Sequence, residues 1–424
     1  MSSFAKLIRD EWRLLGYGCA MMFACSYGQT YFIALFSSGI RADLGLSHSE
    51  FGAVYSAATV ASAALLLRTG SLIDQLDLRS FSFLAIAGLA LGGLMLATAS
   101  GLVMLFLAML LLRQNGQGLM GMAGPTAMVR YLPQQRGRAT AIVGIGFSVS
   151  EAILPTAVIA MLAVLSWRQS WMIWTALLVL LLPLAVILLL RGHPERHANY
   201  LATFDAGSEG ASARQMPRQK QWTRDEVIRD PLFYLFLPAL MAHPLLFTGF
   251  MFHQVYLVET KGWSLALWGG LYTLYALVST VVKLFAGVLI DRYGAVRLLP
   301  FICLPFGLGL LVLASADDVL VAIGFMLLLA VNMGIHSTLS PPFFAEKYGT
   351  LHLGSIKSVT TAIMVFSSAI APVLMGWLID RGVSIEAQAL SGASYAFIAV
   401  LLAWRAQQLA QHQEQGRQQK QARQ

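Results

Sequence analysis

One sentence in this 424-residue chain is written twice. Gly70-Ser71-Leu72-Ile73-Asp74 recurs as Gly287-Val288-Leu289-Ile290-Asp291, an offset of 217 residues. The same offset pairs Gly52 with Gly269, Tyr55 with Tyr272, Gly92 with Gly309 and Asn115 with Asn332. Pro125 with Pro342, Tyr131 with Tyr348, Gly137 with Gly354 and Pro155 with Pro372 continue the register without a gap. Such a chain must build one unit twice, each copy spanning about half its length. The duplicated residues are mostly Gly, Pro and aromatics, the types a scaffold needs where helices touch or bend.

The background of the repeat settles its medium. The chain is 57% hydrophobic and only 12% charged, with a mean hydropathy of +0.67. Soluble domains carry roughly twice that share of charge, about 25%. Apolar runs of about 20 residues, enough to cross a bilayer, recur from end to end. Twelve spans are expected, near 14–36, 50–70, 80–98, 102–125, 139–164 and 171–190, then 231–258, 265–289, 297–315, 319–342, 355–379 and 389–408. The first is too long and too polar for a cleaved leader. The expected fold is an all-α membrane protein of two pseudo-symmetric six-helix bundles. Residues 1–190 form the first half, 191–230 a cytoplasmic linker, 231–408 the second half and 409–424 a frayed tail.

Charge in the loops sets the orientation. With both termini cytoplasmic, the outer loops hold four basic residues, Arg41, Arg168, Lys261 and Arg381, and three more, Arg68, Arg113 and Lys283, fall within spans. That leaves 22 of the 29 Lys and Arg residues on the inner side, the distribution of an inner cell-membrane protein. The +8 charge is therefore an orientation signal, and no nucleic-acid partner is expected. The three cysteines lie in apolar runs and imply no disulfides.

The second copy of the repeated segment continues as Asp291-Arg292-Tyr293-Gly294-Ala295-Val296-Arg297, which resembles the signature loop of the major facilitator superfamily. In the first copy Gln75 and Asp77 stand where that loop carries Arg and Gly. Arg113-Gln114-Asn115-Gly116-Gln117-Gly118 is similar to the superfamily's intramembrane RxxxG pattern. Arg130-Tyr131-Leu132 with Arg136-Gly137-Arg138-Ala139 resembles a segment of its monocarboxylate-porter and oxalate/formate-exchanger branches. The resemblance implies a monomeric secondary transporter, with alternating access by two six-helix halves, and a cytoplasmic latch at Gly70, Asp74, Gly287, Asp291 and Arg292. Those branches carry a carboxylate-binding Arg in span 8, where this chain has Lys283.

Buried charge is where the duplication breaks. Arg113 falls opposite Ala330, Glu151 opposite Ser368, Lys283 opposite Leu66, His243 opposite Ser26 and His336 opposite Leu119. An ionisable group deep in a bilayer costs roughly 2.5–3.5 kcal/mol and needs a cavity or a partner. Glu151, followed by the kinking Pro155, is the candidate proton carrier, with an internal ion pair to Arg113 or Lys283 as the alternative. Arg113, Gln117, His243, Lys283, Asn332 and His336 are the candidate substrate-binding residues. Gln117 is one α-helical turn from Arg113 and Asn332 is one turn from His336; Asn115 is expected to pack helices together. Arg113 and Lys283 against Glu151 leave a net positive charge, which a small anion would offset. The expectation is a proton-coupled carrier of a small organic anion, a monocarboxylate. An exporter of drug-like amphipaths, an inorganic-anion carrier and a non-transporting receptor are the alternatives. No Walker motif, nucleotide fingerprint, nucleophile elbow or metal-ligand spacing is present, so no enzyme, cofactor or metal is expected.

Overall fold

The computed structural model describes residues 3–132, 135–198, 222–349 and 353–422, except for some side chains within those ranges. The chain divides into two compact units, Met1–Met216 and Pro217–Gln424. Six long helices build the first: α1 (Ser3–Ala24), α2 (His48–Thr69), α3 (Leu78–Ala97), α4 (Leu102–Tyr131), α5 (Arg136–Leu162) and α6 (Trp167–Leu189). Six build the second: α7 (Pro231–Phe252), α8 (Leu265–Tyr293), α9 (Leu304–Ser315), α10 (Val319–Tyr348), α11 (Leu353–Asp380) and α12 (Ile385–Ala422).

The two units share one packing scheme. In the first, α1 packs on α5 and α6, α3 on α4 and α6, and α2 on α4. In the second, α7 packs on α11 and α12, α9 on α10 and α12, and α8 on α10. Each pair is the 217-residue translation of its counterpart. The helix starts repeat too: Ser47 caps α2 through Glu50 N–H, and its mate Ser264 caps α8 through Leu267 N–H. A serine oxygen there satisfies an amide that the helix cannot.

Among the described residues, eleven helices are long and apolar enough to cross a membrane. Their outward faces are apolar as well: Leu180, Leu181 and Leu184 on α6, and Leu284, Phe285 and Val288 on α8, are exposed. Only lipid satisfies such faces.

Three expectations change. The span expected at 14–36 is not continuous. It passes from α1 into a 3₁₀ turn, Cys25–Gly28, opens at the extended Gln29 and resumes as Thr30–Ala34. The tail expected to fray continues α12 to Ala422. The second repeated motif, expected in a loop, lies inside α8, which ends only at Gly294 (φ 85°).

That last point explains why the first copy departs from the signature. Asp77 caps α3 itself, accepting from the amides of Arg79 and Ser80 at 3.0 and 3.2 Å. Its mate Gly294 has no side chain to do this. Glu346 of α10 does it instead, accepting from Ala295 N–H at 2.6 Å and Val296 N–H at 3.4 Å. A Cβ on Gly294 would lie 2.6 Å from the Glu346 carboxylate. The mate of Glu346 is Val129, so each copy has one carboxylate for the task, in a different place.

Candidate functional site

Arg113 opens the least regular part of the first unit. Residues Arg113–Met120 wind as a π-helix in the middle of α4, whereas α10 is α-helical throughout. The local cause is a backbone crossing. A Cβ on Gly28 would lie 2.2 Å from the Leu112 carbonyl, and one on Gly116 would lie 2.7 Å from Gly28 Cα. The mates of these glycines are Leu245 and Met333, so the second unit cannot repeat the approach. The crossing brings the Gly28 carbonyl to Arg113, whose Nη1 donates to it at 3.1 Å.

Arg113 is 2% exposed. Its guanidinium lies 5.0 Å from the Tyr55 ring centroid, and Thr30 and Tyr55 hydroxyls hold that ring by a 2.6 Å hydrogen bond. The enclosed Arg113 Nε has no hydrogen-bond partner among the described residues. None of these partners is a carboxylate, so the positive charge is held by a carbonyl and a ring face. Gln117, expected on the same face, is exposed, whereas Arg113 is buried. Gln114 turns inward instead, donating to Thr69 Oγ1 at 2.6 Å, with Ser62 Oγ donating to it at 3.3 Å. Asn115 packs against Gly88 and donates to the Leu111 carbonyl at 2.8 Å.

Glu151 is 2% exposed, in the middle of α5. Its neighbour Ser150 hydrogen-bonds Ser26 across the bundle and stands 3.4 Å from the Tyr31 hydroxyl. The carboxylate lies close enough to Tyr31 and Cys25 to act on both electrostatically. The 217-residue translation of Tyr31 and Glu151 is Thr248 and Ser368, which hydrogen-bond at 3.0 Å. The second unit thus keeps a neutral pair where the first holds a carboxyl.

In the second unit His243 and Asn332 meet at 2.6 Å, Nδ1 to Oδ1. Asn332 Nδ2 donates to the Ile302 carbonyl at 2.8 Å. The His336 ring stacks on His243 at 4.4 Å, and Phe247 stacks on His243 at 5.0 Å. Lys283 is half-buried on α8 and makes no hydrogen bond or ion pair among the described residues. Beside it, Val282 fits against Gly334 of α10, where a Cβ would lie 2.7 Å away.

The motif loops divide differently. The side chains of Asp74 and Asp291 lie outside the described residues. Gly70 is helical (φ −59°), and a Cβ on Gly287 would meet nothing within 4 Å. Arg292 is exposed, with its guanidinium 5.3 Å from the Tyr293 ring. Two residues given no part in the latch by the sequence hold these segments: Arg130, whose Nη1 donates to the Ile73 carbonyl at 2.9 Å, and Glu346. Their signal was charge at the ends of α4 and α10, next to the duplicated Tyr131 and Tyr348.

The sequence profile described as Major Facilitator Superfamily matches residues 18–372 and 250–422. No curated protein sequence matches the chain. Among solved structures, the nucleoside transporter NupG is similar over 93% of this chain and 98% of its own, at 12% identity and a TM-score of 0.68. A bacterial homolog of the human lysosomal transporter Spinster, inward-facing and unoccupied, is similar over 96% of this chain and 98% of its own. Its identity is 11% and its TM-score 0.65. At these identities the likeness is one of fold.

Proposed function

This chain belongs to the major facilitator superfamily and is a membrane transporter rather than an enzyme, and we propose that it carries a small organic anion, a monocarboxylate, together with a proton. The observation that carries this reading is Arg113: a guanidinium 2% exposed whose described partners are a backbone carbonyl and an aromatic ring. A buried charge without a counterion is costly. A cargo carboxylate supplies the missing charge, and the planar guanidinium suits it better than a point charge would.

Glu151 is the proton carrier in this proposal. Protonated, it leaves Arg113 and Lys283 more positive and favours the anion; ionised, it competes with it. Lys283, Gln117 and the His243–Asn332–His336 group are the remaining cargo contacts. Transport runs by alternating access with both termini cytoplasmic, in the inner membrane, as a monomer. Gly70, Asp74, Gly287, Asp291 and Arg292 form the cytoplasmic latch. The resemblance of Arg130-Tyr131-Leu132 to the monocarboxylate-porter branch supports a monocarboxylate over other anions, and Lys283 stands where that branch carries Arg. The cargoes of NupG and of the Spinster homolog are properties of those proteins.

The test is thermal stabilisation of the purified protein by small carboxylates, inorganic anions and lipophilic cations, at about pH 5.5 and about pH 7.5. Carboxylates should stabilise it, more strongly at the lower pH, and Glu151→Gln should remove the difference between the two. Stabilisation by lipophilic cations alone would overturn the reading.

A further inference from the structure

The second unit holds a titratable pair that the charge argument above does not use. We propose that His243 and His336 form a proton-binding site distinct from Glu151, that it takes one proton and not two, and that Asn332 directs this proton to His243 Nε2. The inference does not depend on what the cargo is.

The tautomer follows from the hydrogen bonds. The Ile302 carbonyl can only accept, so the Asn332 group facing it at 2.8 Å is the NH₂. The Asn332 group facing His243 is then the oxygen, which also only accepts. His243 Nδ1, 2.6 Å away, must carry the hydrogen. Neutral His243 therefore has its lone pair on Nε2. Neither Nε2 of the pair makes a hydrogen bond among the described residues, and the enclosed His336 Nδ1 has no partner.

The stacking sets the count. Phe247 covers one face of His243 at 5.0 Å, with 22° between the ring planes, and His336 covers another at 4.4 Å and 21°. An imidazolium at His243 keeps its Nδ1–H bond to Asn332 and lies against the Phe247 ring, within cation–π range. A second proton, on His336, would put two cations 4.4 Å apart. Pairs this close titrate as a unit. Among the described residues, no carboxylate from the helices packed on α7 and α10 pairs with either ring. Tyr275 and Lys283 come from α8, Cys303 from the start of α9, Tyr395 from α12 and hydroxyls such as Ser368 from α11. Neither histidine forms an ion pair among the described residues.

The test is imidazole nitrogen-15 spectroscopy of the full chain in lipid nanodiscs, labelled at its eight histidines and assigned by His243→Gln and His336→Gln. At neutral pH His243 should show a protonated Nδ1 and a bare Nε2. On acidification the two rings should yield one imidazolium, on His243, with double occupancy suppressed more than about tenfold. Asn332→Leu should release the tautomer preference. Two imidazoliums, none, or one on His336 in the wild-type spectrum would each overturn the proposal, so the result stands even if a variant fails to fold.

Discussion

Two glycines two residues apart on α5 make opposite predictions. Gly146 is buried, and a Cβ there would lie 2.2 Å from the Cys19 carbonyl oxygen and 2.8 Å from its carbon. These are backbone atoms of α1 and cannot rotate aside. Ordinary contact begins at 3.4 Å, so Gly146→Ala must part α1 and α5 by 1.2 Å at this point, the difference between 3.4 and 2.2. Overpacking of this kind costs about 1–3 kcal/mol. Gly144, on the same helix, has nothing within 4 Å of its Cβ position, so Gly144→Ala meets no clash. Both variants gain the same helix preference of alanine over glycine, about 1 kcal/mol, and this cancels in the comparison. Gly146→Ala should therefore be less stable than Gly144→Ala by about 1–3 kcal/mol, read from reversible unfolding in mixed micelles. The Ser26–Ser150 hydrogen bond joins the 3₁₀ turn that ends α1 to α5 farther along and should loosen with the first variant only. Equal stability of the two variants would refute the reasoning, because it would mean that α1 and α5 do not meet backbone to backbone.

Three further outcomes follow from other contacts. Arg113→Lys keeps the charge but gives up the planar group between the Gly28 carbonyl and the Tyr55 ring; carboxylate binding should weaken about tenfold or more, the worth of one charged hydrogen bond, measured by calorimetry against Arg113→Met. Lys261, 1% exposed in its side chain, meets Asp317 at 2.6 Å and Glu386 at 2.7 Å. Burial opposes its charge, but those two hydrogen bonds outweigh burial and raise its pKa above the ordinary 10.5; its contribution is complete below that value and fades as pH rises through the higher folded one, so Lys261→Met should destabilise most below about pH 10 and least in strong alkali. His193 is driven by burial, with His197 and Arg196 adding to it, from the ordinary 6.5 down to about 4; the wild type should lose stability as pH falls between these values, and His193→Gln should flatten that acid limb in a pH series of unfolding midpoints.

The scaffold was legible because translation by 217 residues carries packing with it. Ser47 and Ser264 cap the same helix start, and α1 on α5 becomes α7 on α11. What escaped the sequence depends on contacts between distant segments. No local pattern at Arg113 announces π winding, which accompanies the meeting of Gly28 with Gly116 across 88 positions. The same crossing breaks the first span, so two departures from regular helix share one cause. Helix-face reasoning placed Gln117 with Arg113 by assuming α spacing, and the sequence did not show that this stretch is π-helical, with Arg113 buried and Gln117 exposed. Asn115 and Asn332 carry the argument further. They are one residue in the duplicated sequence, yet Asn115 sits against Gly88 and donates back to the Leu111 carbonyl of its own helix, while Asn332 orients His243. The difference comes from their partners: Gly88 has become Pro305, and Ser26 has become His243. A repeated residue therefore reports a repeated place, and its role is decided by whichever neighbours were not repeated.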